Sequence, residues 1–183
     1  MPGFQSAIGV VAAGAIALLA VGADPAPDPS SLFSRTASAI EHETPHLSLR
    51  ASLSREAVSP GGRITVAVDV TPKPGMHVYA PGSHYRAIAL VLEKHSLLHM
   101  GDAVYPEPAL YLFEPLNEAV LVYSKPFRLA RTVTAGRTPE ERAKLRKQKT
   151  LTLAGTIEYQ ACDDRVCYLP ASIPVSWSVR IQP

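Results

Sequence analysis

The sequence predicts an all-β sandwich, and three observations carry that prediction. Apolar and polar residues alternate in several runs of strand length, the pattern of chain with one face in a core. Gly, Pro and Ser clusters separate those runs at short intervals, as turn-linked strands require. Only one stretch, beginning at Thr138, carries a helix-start pattern.

Three segments follow from the chain order. Ser6 to Val21 holds no charged side chain and no proline, and Val21-Gly22-Ala23 offers small residues at which a signal peptidase cuts. Residues 1–23 therefore read as a secretory signal peptide. An uncleaved membrane anchor is the alternative, although about 16 residues falls short of the roughly 20 that span a bilayer. Both readings place the remainder in the periplasm or another extracytoplasmic space. No cysteine lies near the cleavage site, so a lipoprotein anchor is not supported. Residues 24–45 are rich in Pro, Ser and Ala and read as a flexible leader. Residues 46–183 form the expected domain, large enough to bury a core.

Within that domain Leu47, Leu49, Ala51 and Leu53 alternate with polar neighbours, and Ile64, Val66, Val68 and Val70 do the same after the turn at Ser59-Pro60-Gly61-Gly62. Met76 to Tyr79 reads as a short extended piece closed by Pro81-Gly82, and Ala87 to Leu92 as a strand. Tyr105 to Asn117 contains three prolines and reads as a loop. Val120 to Tyr123 and Phe127 to Val133 are two further strands. Thr138 is placed as an N-cap with Pro139 at the first helical position. Arg137 to Lys149 carries six basic and two acidic residues, read as a solvated short helix or as a docking patch for an acidic partner. Leu151, Leu153, Ile157, Tyr159 and Ala161 share one parity. Cys167, Leu169, Ala171, Ile173, Val175, Trp177, Val179 and Ile181 share another, so two strands flank a tight connection.

That connection holds the only two cysteines of the chain, in Tyr159-Gln160-Ala161-Cys162-Asp163-Asp164-Arg165-Val166-Cys167-Tyr168-Leu169-Pro170. An even cysteine count in an exported protein implies a disulfide. So short a loop stabilises a fold by only roughly 2 kcal/mol, which suits a reagent as well as a staple, and spacing alone leaves both readings open. Strand parity adds a clue. With the cysteines opposite each other, a regular hairpin sets Tyr159 against Pro170 and Ala161 against Tyr168, the inner face of one strand against the outer face of the other. An extra residue beside the cysteines is needed to satisfy both faces. Arg165 favours a thiolate there, while Asp163 and Asp164 disfavour one.

The segment from Tyr159 to Pro170 resembles the active-site hairpin of the N-terminal periplasmic domain of the thiol:disulfide interchange protein DsbD. Pro74-Gly75-Met76-His77-Val78-Tyr79 is similar to the strand beside the cysteines in that family, and Tyr105-Pro106 and Val122-Tyr123 to the strands flanking its cap loop. The resemblance spans about residues 46–182 and implies an immunoglobulin-like β-sandwich with a redox-active cysteine hairpin. It implies that Cys167 is the cysteine attacked during mixed-disulfide formation and Cys162 its resolving partner. His77 and Tyr79 line the site, with Tyr159, Asp163, Asp164 and Arg165 around it. Leu110 to Glu118 is the cap loop, with Phe113 or Leu116 shielding the bridge. Four residues separate the cysteines here, where the best-known members have five.

The function so implied is electron transfer by thiol–disulfide exchange, as a protein-disulfide reductase domain, between thioredoxin-like proteins and a separate membrane electron donor. No cofactor and no metal is required, and a monomer is expected. A formal net charge of +2 gives no reason to invoke nucleic acid. Two alternatives stand beside this reading. One is a non-catalytic immunoglobulin-like binding module with an inert bridge. The other is a copper-handling protein using His42, His46, His95, His99, Met76, His77 or Met100. No nucleophile elbow, phosphate-cradling loop or zinc-protease motif occurs.

Overall fold

The computed structural model describes Gly3 and residues 37–114 and 117–183. Thirteen strands and one helix make up the described residues. The signal segment and the shielding candidate Leu116 lie outside them.

One sheet of the sandwich holds β1 (Ala37–Glu43), β2 (Leu47–Leu53), β4 (Arg63–Pro72), β10 (Phe127–Ala135) and β7 (Leu98–Val104), in the order β1-β2-β4-β10-β7. The facing sheet holds β3 (Ala57–Val58), β13 (Ala171–Ile181), β11 (Thr150–Tyr159) and β6 (Ala89–Leu92), in the order β3-β13-β11-β6. All pairings in these sheets are antiparallel except β3 with β13. The expected alternation is the observed one: Ile64, Val66, Val68 and Val70 from the first sheet meet Leu153, Ile157, Val175, Trp177 and Val179 from the second in a single core cluster. Period-two patterning dictates this, because successive side chains on a strand point to opposite faces. Glycine serves the packing at one crossing. A Cβ on Gly155 would stand 2.5 Å from the Val91 carbonyl oxygen, so only glycine lets β11 and β6 approach this closely.

A third, smaller sheet covers one end of the sandwich. It comprises β12 (Ala161–Cys162), β5 (His77–Tyr79), β9 (Glu118–Tyr123) and β8 (Ala109–Phe113), in the order β12-β5-β9-β8. Helix α1 (Pro139–Leu145) closes the opposite end. Its start follows the expectation: Thr138 caps it, Glu141 completes a capping box, and Pro139 opens the first turn. Glu141 also accepts from His99 Nε2 at 2.8 Å and from the Arg137 amide at 2.6 Å. These donors, led by the Thr138 amide, hold its carboxyl down at about 2.

Two expectations are corrected, and one strand was not anticipated. The flexible leader was set to end at residue 45, but Ala37–Glu43 is β1, paired along β2. Ile40 alone packs on the core from this edge strand, so no apolar period marks it. Tyr105 to Asn117 was read as a loop, yet Ala109–Phe113 forms β8 against β9. Its flanking prolines set the ends of the strand rather than preventing it. Leu98–Val104, an edge strand with irregular register against β10, carries no alternation that the sequence could reveal.

Candidate functional site

The paired strands β11 and β13 part company beside the cysteines, and the cause is the register. Tyr159 pairs with Ala171, whereas Cys162 pairs with Cys167. Two residues on one side, Gln160 and Ala161, therefore face three on the other, Tyr168 to Pro170. The extra residue required by strand parity is present. It turns β12 out of the main sheet and onto β5, with Ala161 opposite Val78 and Cys162 opposite His77. It also sends Leu169 outward, 88% exposed, although its parity matched the buried face of β13. Gln160 secures the break, accepting from the Arg86 amide at 3.4 Å and donating to the Tyr168 carbonyl at 3.1 Å.

Cys162 and Cys167 form a disulfide, their Cα atoms 4.1 Å apart. The amides and carbonyls of the two flanking residue pairs close the ladder around them, Asp163 to Val166 and Tyr168 to Ala161. Cys162 is 1% exposed and packs with Tyr79, Val120 and Val122, while Cys167 lies on the exposed loop. The sequence assigned them as a pair; the structure makes the two sulfurs unequal.

Tyr79 is the polar group closest to the bridge. Its hydroxyl lies 3.1 Å from each sulfur. The oxidised sulfurs carry no proton, so the hydroxyl is the donor. Burial, reinforced by Tyr85 and Glu118, pushes the Tyr79 phenol up to about 12, which keeps it a donor throughout the neutral range. The ring stacks on Tyr85 at 4.4 Å, and Tyr85 donates to Glu118 Oε2 at 2.7 Å. That carboxylate in turn raises the Tyr85 phenol. His77 is buried, edge-on to Tyr79 and tilted against Tyr111 at 4.6 Å between ring centroids. Burial lowers its imidazole pKa, opposed by the Asp163 carboxylate.

The loop between the cysteines is held by Asp163. Its carboxylate accepts from the Val166 amide at 2.7 Å, the Arg165 amide at 2.8 Å and the Tyr168 hydroxyl at 2.9 Å. Those donors pull its pKa below the ordinary aspartate value, and the bond from Tyr168 raises that phenol. Such side-chain-to-backbone bonding is the Asx device for fixing a tight turn. The ring of Tyr168 lies against His46 at 4.3 Å.

Of the residues singled out from the sequence, Cys162, Cys167, His77, Tyr79 and Asp163 come together. Arg165 takes part through its backbone, and Asp164 is exposed beside it. Tyr159 sits in the main core instead, donating to Thr44 Oγ1 at 3.3 Å. Phe113 is half-buried on β8, but the β8 residue packed on the Cys162 cluster is Tyr111. Tyr85 was not expected, and Tyr111, Glu118 and Tyr168 lay within the expected cap loop or the cysteine hairpin without a contact assigned to them. Tyr85 and Tyr168 stand out only as aromatics near the quoted motifs, and nothing in sequence pairs Glu118 with Tyr85. Tyr123 ties the two segments flanking the cap together, donating to the Pro106 carbonyl at 2.8 Å.

The histidines named for copper are dispersed. His42 lies on β1 and His46 against Tyr168, His95 accepts from the Leu97 amide, and His99 is bound to Glu141. Among the described residues no group of three or more His, Cys, Asp or Glu converges on a common centre.

The family pattern described as thiol:disulfide interchange protein DsbD, N-terminal, matches residues 50–175, more than half of the chain. The chain belongs to this family. It carries the thiol–disulfide interchange domain, of immunoglobulin-like fold. Two solved structures are similar to it. The N-terminal periplasmic domain of ScsB from Proteus mirabilis aligns with a TM-score of 0.49 and 13% identity, over 76% of this chain and 49% of that one. The reduced N-terminal domain of DsbD from Neisseria meningitidis aligns with a TM-score of 0.44 and 17% identity, over 63% of this chain and 77% of that one. The chain thus spans about half the length of the ScsB structure. A search of curated proteins finds no match.

Proposed function

We propose that this domain relays electrons between thioredoxin-like proteins and a separate membrane donor, in the periplasm, through exchange at Cys167. The observation that carries this reading is the inequality of the sulfurs: Cys162 is buried and Cys167 exposed, both within reach of the Tyr79 hydroxyl. Attack requires access, and the leaving sulfur must carry charge.

A partner thiolate attacks Cys167 Sγ, the bond to Cys162 breaks, and its electron pair leaves on Cys162 Sγ. Tyr79 donates a hydrogen bond to that thiolate and so lowers its energy. The second thiolate of the partner then attacks its own sulfur in the mixed disulfide and expels Cys167 as a thiolate. Two electrons enter, with two protons once both sulfurs are protonated, and the partner leaves oxidised. Delivery runs in reverse: Cys167 attacks the disulfide of a target, and Cys162 closes onto Cys167, releasing the target as a dithiol.

Two single-cysteine variants test the assignment. Reduced Cys162→Ser should form a stable mixed disulfide with a thioredoxin-like protein that lacks its resolving cysteine and whose remaining cysteine is activated as a mixed disulfide with thionitrobenzoate, which leaves as the thiolate; Cys167→Ser should form little. Equal trapping by both, or the reverse preference, would contradict the assigned roles. The periplasmic setting is the one that the family resemblance and the signal-like run Ser6 to Val21 imply. None of the described residues forms a helix long and apolar enough to cross a membrane.

A further inference from the structure

The charge of this molecule is divided between its two ends. Around the disulfide, Asp163, Asp164, Glu118 and Glu158 outnumber Arg86 and Arg165. At the other end, α1 and the residues after it expose Arg137, Lys144, Arg146, Lys147 and Lys149, and Arg63 at the start of β4 is exposed there too. The topology places these together: Arg63 pairs with Thr134, close before α1, and Lys149 leads into β11. Strand β11 then runs ten residues to Tyr159 beside the cysteine hairpin. At about 3.3 Å per residue, this separates the basic end from the redox end by roughly 30 Å.

The basic side chains at this end are poorly neutralised from within. Glu141 is committed to the Thr138 cap and to His99, and Glu56 faces Arg180 at 3.6 Å. Glu140 interacts with Lys144 across the first turns of α1. Arg142, though exposed, donates to the Gly136 and Arg137 carbonyls. Among the described residues no carboxylate lies within ion-pair distance of Arg63, Arg146, Lys147 or Lys149.

The chain also enters the domain at this end. Ala37, the first residue of β1, pairs with Leu53, two residues before Arg55, whereas Glu43 at the far end of β1 pairs with Ser48 near the redox side. In the uncleaved-anchor reading, the chain that carries the uncharged apolar run Ser6 to Val21 therefore joins the domain at Ala37, on its basic pole. An apolar segment followed by a basic surface is the arrangement that seats on anionic lipid, since hydrocarbon and headgroup phosphate are met in that order.

We propose that the end formed by α1 and residues 144–149 docks on an anionic phospholipid bilayer, holding the Cys162–Cys167 hairpin on the side facing away from the membrane. Partners then reach Cys167 without competition from lipid. Neutralising one basic residue near such a surface weakens binding roughly five-fold, so removing four costs on the order of a hundredfold or more. The attraction decays within a Debye length, about 10 Å at 0.1 M salt.

The test uses the full chain with vesicles of phosphatidylcholine alone or with phosphatidylglycerol added, read by co-flotation and amide hydrogen exchange. The apolar run contributes equally to both vesicle types, so the difference between them reports the basic end. Phosphatidylglycerol should raise the bound fraction and slow exchange over residues 139–149, and high salt should reverse both. The variant K144Q/R146Q/K147Q/K149Q should lose the lipid-dependent difference. These side chains are exposed, and thermal unfolding checks that the variant folds; the salt titration of the unaltered chain stands independently of it. Equal binding to both vesicle types would overturn the proposal. So would an unchanged difference in the variant, or protection appearing at the cysteine hairpin instead of α1.

Discussion

Replacing Tyr79 by Phe removes one hydroxyl from the site and leaves the ring stacked on Tyr85. In the oxidised state that hydroxyl meets two neutral sulfurs at 3.1 Å; after reduction it meets a thiolate. A bond to a neutral acceptor contributes about 0.5–1.5 kcal/mol and one to a charged acceptor about 1.5–3 kcal/mol, so reduction gains on the order of 1–1.5 kcal/mol from Tyr79. At 1.36 kcal/mol per unit, the variant should raise the pKa of the Cys162 thiol by about one unit. By the two-electron relation it should also lower the reduction potential by about 20–30 mV where Cys162 is ionised. Thiolate absorbance against pH measures the first, and equilibration with glutathione followed by alkylation measures the second. The fold should survive, since one hydrogen bond is lost and no cavity larger than an oxygen is made. An unaltered thiol pKa together with an unaltered potential in a folded variant would refute the role given to Tyr79.

Further outcomes follow from other contacts. Because the folded-state phenol of Tyr79 lies at about 12, above its ordinary 10.0, the native state retains that proton longer than the unfolded chain. Its contribution to stability is complete below pH 10 and declines as pH rises toward 12, so Tyr79→Phe should flatten the alkaline fall of Tm. Glu141 shows the opposite sign: its carboxyl is held at about 2 against 4.5, so its contribution is present above pH 4.5 and disappears as pH falls toward 2, a component that Glu141→Gln should lack. Gly155→Ala drives a Cβ to 2.5 Å from the Val91 carbonyl oxygen and should destabilise the domain by about 1–3 kcal/mol in urea unfolding, as over-packing does. Asp163→Ala should speed amide exchange at Arg165 and Val166 at least about tenfold, since both amides lose their acceptor, with the exposed loop otherwise intact.

Sequence patterning reached the core directly because both faces of the sandwich repeat with period two. Val66, Val68, Leu153, Ile157, Val175 and Trp177 are where alternation placed them. The conflict between strand parity and the cysteine pairing even located the irregularity at Gln160 and Tyr168 to Pro170, because a register error of one residue inverts every side chain. Edge strands were another matter. β1 and β7 bury little, so burial imposes no period on them, and β8 was hidden between prolines. Within the site, chemistry marked the residues that touch sulfur or hold the hairpin turn. The supports did not announce themselves: Tyr85, Glu118 and Tyr111 reach Tyr79 and His77 through pairing of distant strands, and those contacts exist only once β5 and β9 are side by side. Tyr159 shows the converse, a residue adjoining the motif whose parity sends it to the core.

The reduction potential of the Cys162–Cys167 pair tests the central claim most directly. The protein is equilibrated against glutathione or a reduced thioredoxin-like protein and the thiols are counted by alkylation. A working exchange site should equilibrate within the range of known exchange proteins, above about −300 mV, and react rapidly with the thioredoxin-like partner. A pair that stays oxidised well below about −300 mV behaves as a structural bridge, and that result would contradict the relay and leave only the fold.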